Sequence, residues 1–557
     1  MFERMTAMPF CAAGLALAVF ASSCRSLPGD AGRQAARPSP YDHGGAEIAA
    51  GGPGRVVPST APIVHPAAFQ GERETLGYRP RFFPTGPVAF APDGTPYVRA
   101  SRPDRDTGDG TDDGFIQFLD PADGRWYVWS LVDVLRRHLD AAAVSIGTNV
   151  RINDTGVVCD GLGDLYATVR VTAPVQGGFL LHRIAASGVW QCHPLPMVAR
   201  LERVRPPAAA LEGPPMAVGH LDGRPTLIQI ERAADGALRL GAPVAFGPAG
   251  AGLNPAHSGA GPVAATVGRR TYLVYAGAEP VPHSGQSTHG APFRSPKLAE
   301  AEKGPHHPGT PQYVVSLDHD TGKVSEPVLL GFGQNPYSPN PDNHNCPSIV
   351  ADSRGVLHVV LGAHQHHFWY VRSRTTTPAT RDDWTAPEAL GLRRRYDCGL
   401  TYVALAIDSQ DRLHLVARNM SRGYAADGTP LPADAINNES MMRTLDYLRA
   451  TPQPDGSWAW EELGALVMPL WHRGYSIFYH KLAIDRHDRL FLNYSTYAAQ
   501  LPPDAVAVYR SRWPAEAIPE PPPAGLWMRA HDPAMLMSDD GGSTWRLART
   551  VDFLEGR

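Results

Sequence analysis

The sequence has little of several things, and each shortage closes off a class of protein. Six cysteines in 557 residues exclude a disulfide-dense miniature scaffold. Basic and acidic side chains nearly cancel, 51 against 55, for a formal net charge of −4. That balance excludes a nucleic-acid binder held by a basic surface. The apolar run FCAAGLALAVFAS (10–22) is too short to span a bilayer. Amphipathic helical periodicity is scarce, and YVWSLVDVLRRHLDAAA (127–143) is the one stretch that predicts a helix. A nucleophile elbow, a phosphate-binding loop and a dinucleotide fingerprint are all missing. Turn chemistry is what the chain has in quantity. Its 55 Gly and 54 Pro make up about a fifth of the residues, a level that predicts many turns rather than disorder.

The N-terminal run has the shape of a signal-peptide core, with Arg4 before it. ASSC (21–24) resembles a bacterial lipobox, with Ala21 where Leu is usual, so Cys24 is the expected lipidation site. Residues 1–24 therefore read as a signal peptide and 25–70 as a flexible Pro/Gly/Ala/Ser tether. Residues 71–557 read as the folded domain. The expected location is the periplasm or outer surface of a bacterium. Any membrane attachment would be through the lipid alone. Four cysteines remain in the exported body, enough for two disulfides. Cys159–Cys192 is the favoured pair, while Cys346 and Cys398 either pair or give one ligand to a metal.

One pattern recurs along the body: an apolar strand, a turn of Asp, Gly or Arg, then an aromatic or His opening a second apolar strand. It appears in 88–100, 157–171, 215–230, 262–277, 347–364, 403–418 and 480–495. The second strands open at Tyr97, Tyr166, Thr226, Tyr272, His358, His414 and Phe491. Seven such hairpins predict an all-β fold, a seven-bladed β-propeller, with six or eight blades as alternatives and closure by paired N- and C-terminal strands in view. The segment AMLMSDDGGSTWRLAR (534–549) carries Ser538, Asp540, Gly542, Thr544 and Trp545 in the Asp-box pattern, a structural hairpin turn near the C-terminus.

Positions equally far before and after a hairpin turn lie side by side at its open end. This pairs His344 with His364, Tyr402 with Arg418, and Tyr479 with Ser495, and radial blades bring the three open ends to one face. His480 and Lys481 accompany Tyr479. His and Tyr can move protons and Arg can hold a carboxylate. His358, in mid-strand, reads as a packed residue. His364, His366 and His367, with Cys346 or Cys398, supply zinc-type ligand atoms without a compact motif. DRDTGDGTDDG (104–114) suggests a calcium loop, but Gly108 and Phe115 stand where such a loop needs oxygen ligands. The chemistry of the cleft requires no cofactor, and a structural zinc or calcium is left open.

YVVSLDHDTGKVSEPVLLGFG (313–333), DNHNCPSIVADSRGVLHVVLGAH (342–364), TYVALAIDSQDRLHLVAR and YSIFYHKLAIDRHDRLFLNYS together resemble the BNR-repeat-containing family (the BNR-4 group). That group includes propeller-fold polysaccharide lyases of the ulvan-lyase type. The resemblance implies β-elimination at a uronic acid, with an acidic polysaccharide as partner; a monomer is the expected working form. It implies catalytic roles for His344, His364, Tyr402 and Arg418, the last neutralising the substrate carboxylate. Asn343, Asn345, Tyr479, His480 and Lys481 are the accompanying substrate-binding candidates. Which of His344, His364 and Tyr402 is base and which is acid stays open. Two other functions compete: a non-catalytic glycan-binding lipoprotein using the same cleft, and a sialidase-like hydrolase. Against the hydrolase, no Glu falls at the open ends of the 347–364, 403–418 and 480–495 hairpins.

Overall fold

The computed structural model describes residues 63–64 and 83–554, except mainly for 102–110, 148–155, 204–212, 254–260, 284–306, 335–342, 391–399, 422–441, 469–476 and 497–531. Residues 1–24, including Cys24, and Cys398 lie outside the described residues. Seven sheets of four to six strands follow one another along the chain, and a separate two-stranded ribbon, Ile230–Arg232 with Leu238–Leu240, stands apart. The chain is an all-β, seven-bladed β-propeller. No helix among the described residues is long and apolar enough to cross a membrane.

Each predicted hairpin falls in a different blade, and six of the seven form its inner edge. The third blade differs. There Val198–Glu202 is innermost, and the hairpin of Met216–Leu221 with Arg224–Ile228 lies outside it. The repeat pattern misses this inner strand because no tight turn joins it to the next one. The predicted helix is also shorter than its periodicity. Arg125–Ser130 is a strand whose Tyr127 and Trp129 stack on Phe118, and among the described residues of that stretch the helix covers Leu131–Leu139. Ser130 Oγ accepts from Asp133 N at 3.2 Å, so the helix starts where a hydroxyl can cap it. The Cys159–Cys192 bridge is excluded by topology. Both side chains are buried in the second blade, and the strands Leu165–Ala173 and Gly177–Arg183 lie between them. Three strand spacings, roughly 14 Å, exceed the reach of a disulfide.

The inner turns explain the repeat. Asp160, Asp352, Asp408 and Asp485 each accept backbone N–H groups from the second and fourth residues onward, at 2.7–3.0 Å. Six residues after each Asp comes the ring that opens the second strand: Tyr166, His358, His414 and Phe491. Tyr166 donates its hydroxyl to Asp160 at 2.8 Å, and His414 Nε2 lies 3.0 Å from Asp408. His414 is neutral, so Nε2 donates to the carboxylate and Nδ1 accepts from Tyr447 Oη at 2.7 Å. His358 is fully buried, with Nδ1 2.7 Å from Tyr370 Oη, and is a packed residue as its mid-strand position predicts.

Neighbouring turns are also laced together. Gly355, Asp411 and Asp488 occupy the same turn position with φ of 82°, 61° and 59°. A Cβ on Gly355 would come within 2.8 Å of Val267, so only glycine fits there. At the other two positions an aspartate tolerates the left-handed backbone, and its carboxylate reaches the adjacent blade. Asp411 accepts from Ser353 N and Oγ, both at 2.7 Å, and Asp488 accepts from Ser409 N at 2.9 Å and from its hydroxyl.

The apolar core forms layers between adjacent blades rather than one centre. The seam that closes the ring packs Val88, Val98 and Leu119 of the first blade on Phe491, Met535 and Met537 of the seventh and on Phe553 of the short helix Thr550–Leu554. Among the described residues, all strands of the seventh blade come from 477–547. Among the described residues closure is by side-chain packing, joined by a bond from Asn493 Nδ2 to Gly86 O at 2.7 Å, with no N-terminal strand in the seventh sheet. Ile63–Val64, within the stretch read as a tether, pairs in parallel with Val467–Met468 on the outer edge of the sixth blade.

The buried turn groups set the acid response. Burial lowers the pKa of His358 and His414, outweighing their carboxylate neighbours. Burial alone would raise Asp408, but bonds from His414 and Arg412 hold it down at about 2. A histidine held neutral in the fold takes up its proton only on unfolding. Stability should therefore fall as pH drops below about 6.5. It should fall a second time between about pH 4 and pH 2, as the depressed aspartates protonate. Melting temperatures measured from pH 8 to pH 3 should show both declines; a flat profile between pH 7 and pH 5 would contradict the histidine assignment.

Candidate active site

Three chain segments meet at the open end of the fifth and sixth blades. The first is the short 3-10 turn Asn343–Asn345, directly before the inner strand Ser348–Ala351. The second is His364–His366, which leaves the fifth blade and pairs with the inner strand of the sixth, His364 opposite Thr401 and His366 opposite Leu400. The third is the start of that inner strand, Leu400–Ile407, with Arg418 on the strand beside it.

Gln312 of the fourth blade ties the first two together. It is fully buried, its amide donates to Asn345 O and, at 2.9 Å, to Gly362 O, and its Oε1 accepts from Gly362 N at 3.0 Å. Nothing in the repeat pattern marks this glutamine; a buried amide in an apolar strand is its only trace in the sequence. His344 and His364 are both half-buried, with ring centroids 4.4 Å apart. Their predicted adjacency holds.

The pairing of Tyr402 with Arg418 holds in space but not in register. Thr401 stands opposite Arg418, Ala404 opposite Val416, and Tyr402 and Val403 together face Ala417. This is a β-bulge. The seventh blade has the same one-residue shift, with Phe478 opposite Ser495 and Lys481 opposite Asn493. Counting outward from the turn stops one residue short because an extra residue has entered each inner strand. Tyr402 takes φ 69°, a left-handed conformation unusual for a bulky side chain.

In that conformation the Tyr402 hydroxyl lies 3.0 Å from His344 Nε2, and the ring centroids are 4.8 Å apart. The guanidinium of Arg418 lies beneath the phenol ring, its Cζ 4.3 Å from the centroid, in a cation–π contact. Tyr402 is 3% exposed and Arg418 2%, so the tyrosine ring covers the arginine. His480 and Lys481 are buried below, and Asn345 is fully buried with Nδ2 3.3 Å from Thr310 Oγ1. The side chains of Asn343, His366 and Tyr479, and His367 and Cys398 altogether, lie outside the described residues. Among the described residues no three His, Cys, Asp or Glu side chains cluster as metal ligands.

A separate cavity of about 600 Å³ lies on the axis, lined by the inner strands of all seven blades from Val88 round to Ile484. It reaches toward the turns, with Ser353, Ser409 and Asp411 in its wall, and includes none of His344, His364, Tyr402 or Arg418. Its buried Glu202 has a pKa raised by burial and partly offset by the paired Arg200. The Arg200–Glu202 pair braces the third blade to the fourth, through Gly261 O and Val263 N.

Residues 314–445 match the model of the BNR repeat-containing family, and His344, His364, Tyr402 and Arg418 all fall inside the matched segment. The resemblance read from the sequence holds over that segment. No curated protein matches the chain. Similar solved structures include a PL25 ulvan lyase bound to -[GlcA(1-4)Rha3S]-, 10% identical with a TM-score of 0.40, over 76% of this chain and 96% of that one. The phage phi92 endosialidase is 9% identical with a TM-score of 0.35, over 84% of this chain and 67% of that one. A Dyadobacter fermentans protein of unknown function is 11% identical with a TM-score of 0.31, over 81% of this chain and 97% of that one.

The contact between the two histidine segments yields a direct test. A Cβ on Gly362 would lie 2.2 Å from Cys346 O and 2.9 Å from Cys346 N, all rigid backbone. Gly362→Ala should push the 343–346 turn off the 362–364 segment and cost about 1–3 kcal/mol of stability. Urea unfolding measures the loss, and an unchanged midpoint would show that the two segments are not packed as described.

Proposed function

We propose that this protein is a polysaccharide lyase that cleaves a uronate-containing glycan by β-elimination. The observation that carries the reading is the hydrogen bond between His344 Nε2 and Tyr402 Oη at 3.0 Å, set directly over the Arg418 cation. Elimination needs a base to take the proton at C5. The electron pair then forms the C4=C5 double bond, the C4–O4 bond breaks, and an acid protonates O4. A His and a Tyr joined by one hydrogen bond can supply both proton transfers, and we assign them to this pair, with His364 alongside His344. The family match covers all four residues and supports the same reading.

The position of Arg418 refines its role. Beneath the ring, its charge stabilises a phenolate developing on Tyr402. The clamp on the substrate carboxylate implied by the family resemblance requires the tyrosine ring to swing aside. The partner is an acidic polysaccharide and the working form a monomer. Residues 1–24 are read as an export signal ending at the lipidated Cys24, which places the enzyme in the periplasm or on the bacterial surface. The C-terminal hairpin is read as an Asp-box. There Asp540 accepts from Thr544 N at 2.8 Å and Thr544 Oγ1 at 2.6 Å, and Trp545 is fully buried against Tyr447.

The experiment incubates signal-free protein with a panel of uronate polysaccharides and follows the ultraviolet absorbance of the conjugated unsaturated uronate. The wild type should produce it, and His344→Ala and Arg418→Ala should each lose about 10²–10⁴-fold in rate. Binding of the glycans without any absorbance rise would favour the non-catalytic glycan-binding lipoprotein.

A further inference from the structure

Tyr402 depends on a histidine that belongs to the next blade. His480 is fully buried in the inner strand Ile477–Ile484, out of reach of solvent. Its Nε2 lies 2.9 Å from Tyr402 O and 3.0 Å from Val416 O. Carbonyl oxygens only accept, so Nε2 carries the proton and donates to both. Burial, together with the positive charges of Lys481 and Arg418, pushes the pKa of this ring down to about 3 and keeps it neutral. Its tautomer is thereby fixed, with the proton on Nε2 and the lone pair on Nδ1.

The bulge gives these two bonds their purpose. Tyr402 lies where the register of the inner hairpin is broken, and its backbone is left-handed. A bulge displaces backbone groups from the regular ladder, and the His480 N–H donates at that displaced point. Val416 lies on the opposite strand immediately beyond the break. One N–H shared between the two carbonyls spans the gap from the side and holds both strands at the bulged spacing. The tyrosine ring then projects toward His344 with its face on Arg418.

We propose that His480 is a positioning residue whose Nε2–H fixes the bulged backbone of Tyr402 and so sets the phenol against His344. This rests on the reading of Tyr402 and His344 as the proton-transfer pair. A Leu at position 480 fills similar space without a donor, whereas Gln offers an amide N–H near the place of Nε2.

The test uses the full signal-free chain with an isotope label at tyrosine Cζ, the Tyr402 resonance being assigned by its loss in Tyr402→Phe. His480→Leu should move that resonance while circular dichroism stays native, and His480→Gln should leave it near the wild-type position. On whichever glycan is turned over, Leu should lower kcat about tenfold or more at unchanged KM, the expected effect of a slightly misplaced catalytic group. Gln should recover most of the loss. If the leucine variant does not fold, His480→Asn, whose amide falls short of the carbonyl, takes its place. An unmoved Tyr402 resonance with wild-type kcat per folded molecule would overturn the proposal and leave the lyase reading intact. A moved resonance in a wild-type background that turns over no glycan would defeat the lyase reading and leave the positioning contact standing.

Discussion

A single extra residue in an inner strand constrains everything at the open end of the sixth blade. In a regular hairpin the residue opposite Arg418 would be Tyr402, both on one face of the sheet. With Tyr402 and Val403 set against Ala417, the tyrosine leaves the pleat and turns its ring across the arginine toward the fifth blade. The close contact of a histidine, a tyrosine and a buried cation from two blades follows from that departure. Without the bulge the same residues would form an ordinary strand edge.

The two ends of the propeller divide the work. At the turn end, Asp side chains satisfy backbone donors, rings bond to the same carboxylates, and Ser–Asp pairs connect one blade to the next. These bonds tie the turns of the fifth, sixth and seventh blades to one another. At the open end the strands are irregular: register shifts occur at His364–His366, Thr401–Ala404 and Phe478–Lys481. Irregular backbone on a rigid frame is where side chains can be aimed at something other than their own sheet.

Much of this was legible in the sequence, and the parts that were not have physical reasons. The Asp-to-ring spacing that marks four of the inner turns reports a real hydrogen-bond motif, and the hairpin repeat around it made blade number and the His344–His364 meeting readable. The third blade's inner strand, Val198–Glu202, could not, because a strand without a tight turn leaves no punctuation. The Cys159–Cys192 pairing failed because cysteine parity says nothing about how many strands lie between. The bulge at Tyr402 was invisible because the signal of a strand is its alternation, and an added residue disturbs that too little to detect in eight positions. Gln312 and His480 act through backbone carbonyls, which no side-chain pattern records.

The central claim is that His344 and Tyr402 work as one unit. A double-mutant cycle on the rate of unsaturated uronate formation, with His344→Ala, Tyr402→Phe and the combined variant, tests it most directly. Residues that act together are strongly non-additive, so the double variant should be no slower than the slower single variant. Losses that multiply, or no elimination from any uronate glycan by the unmodified protein, would contradict the account.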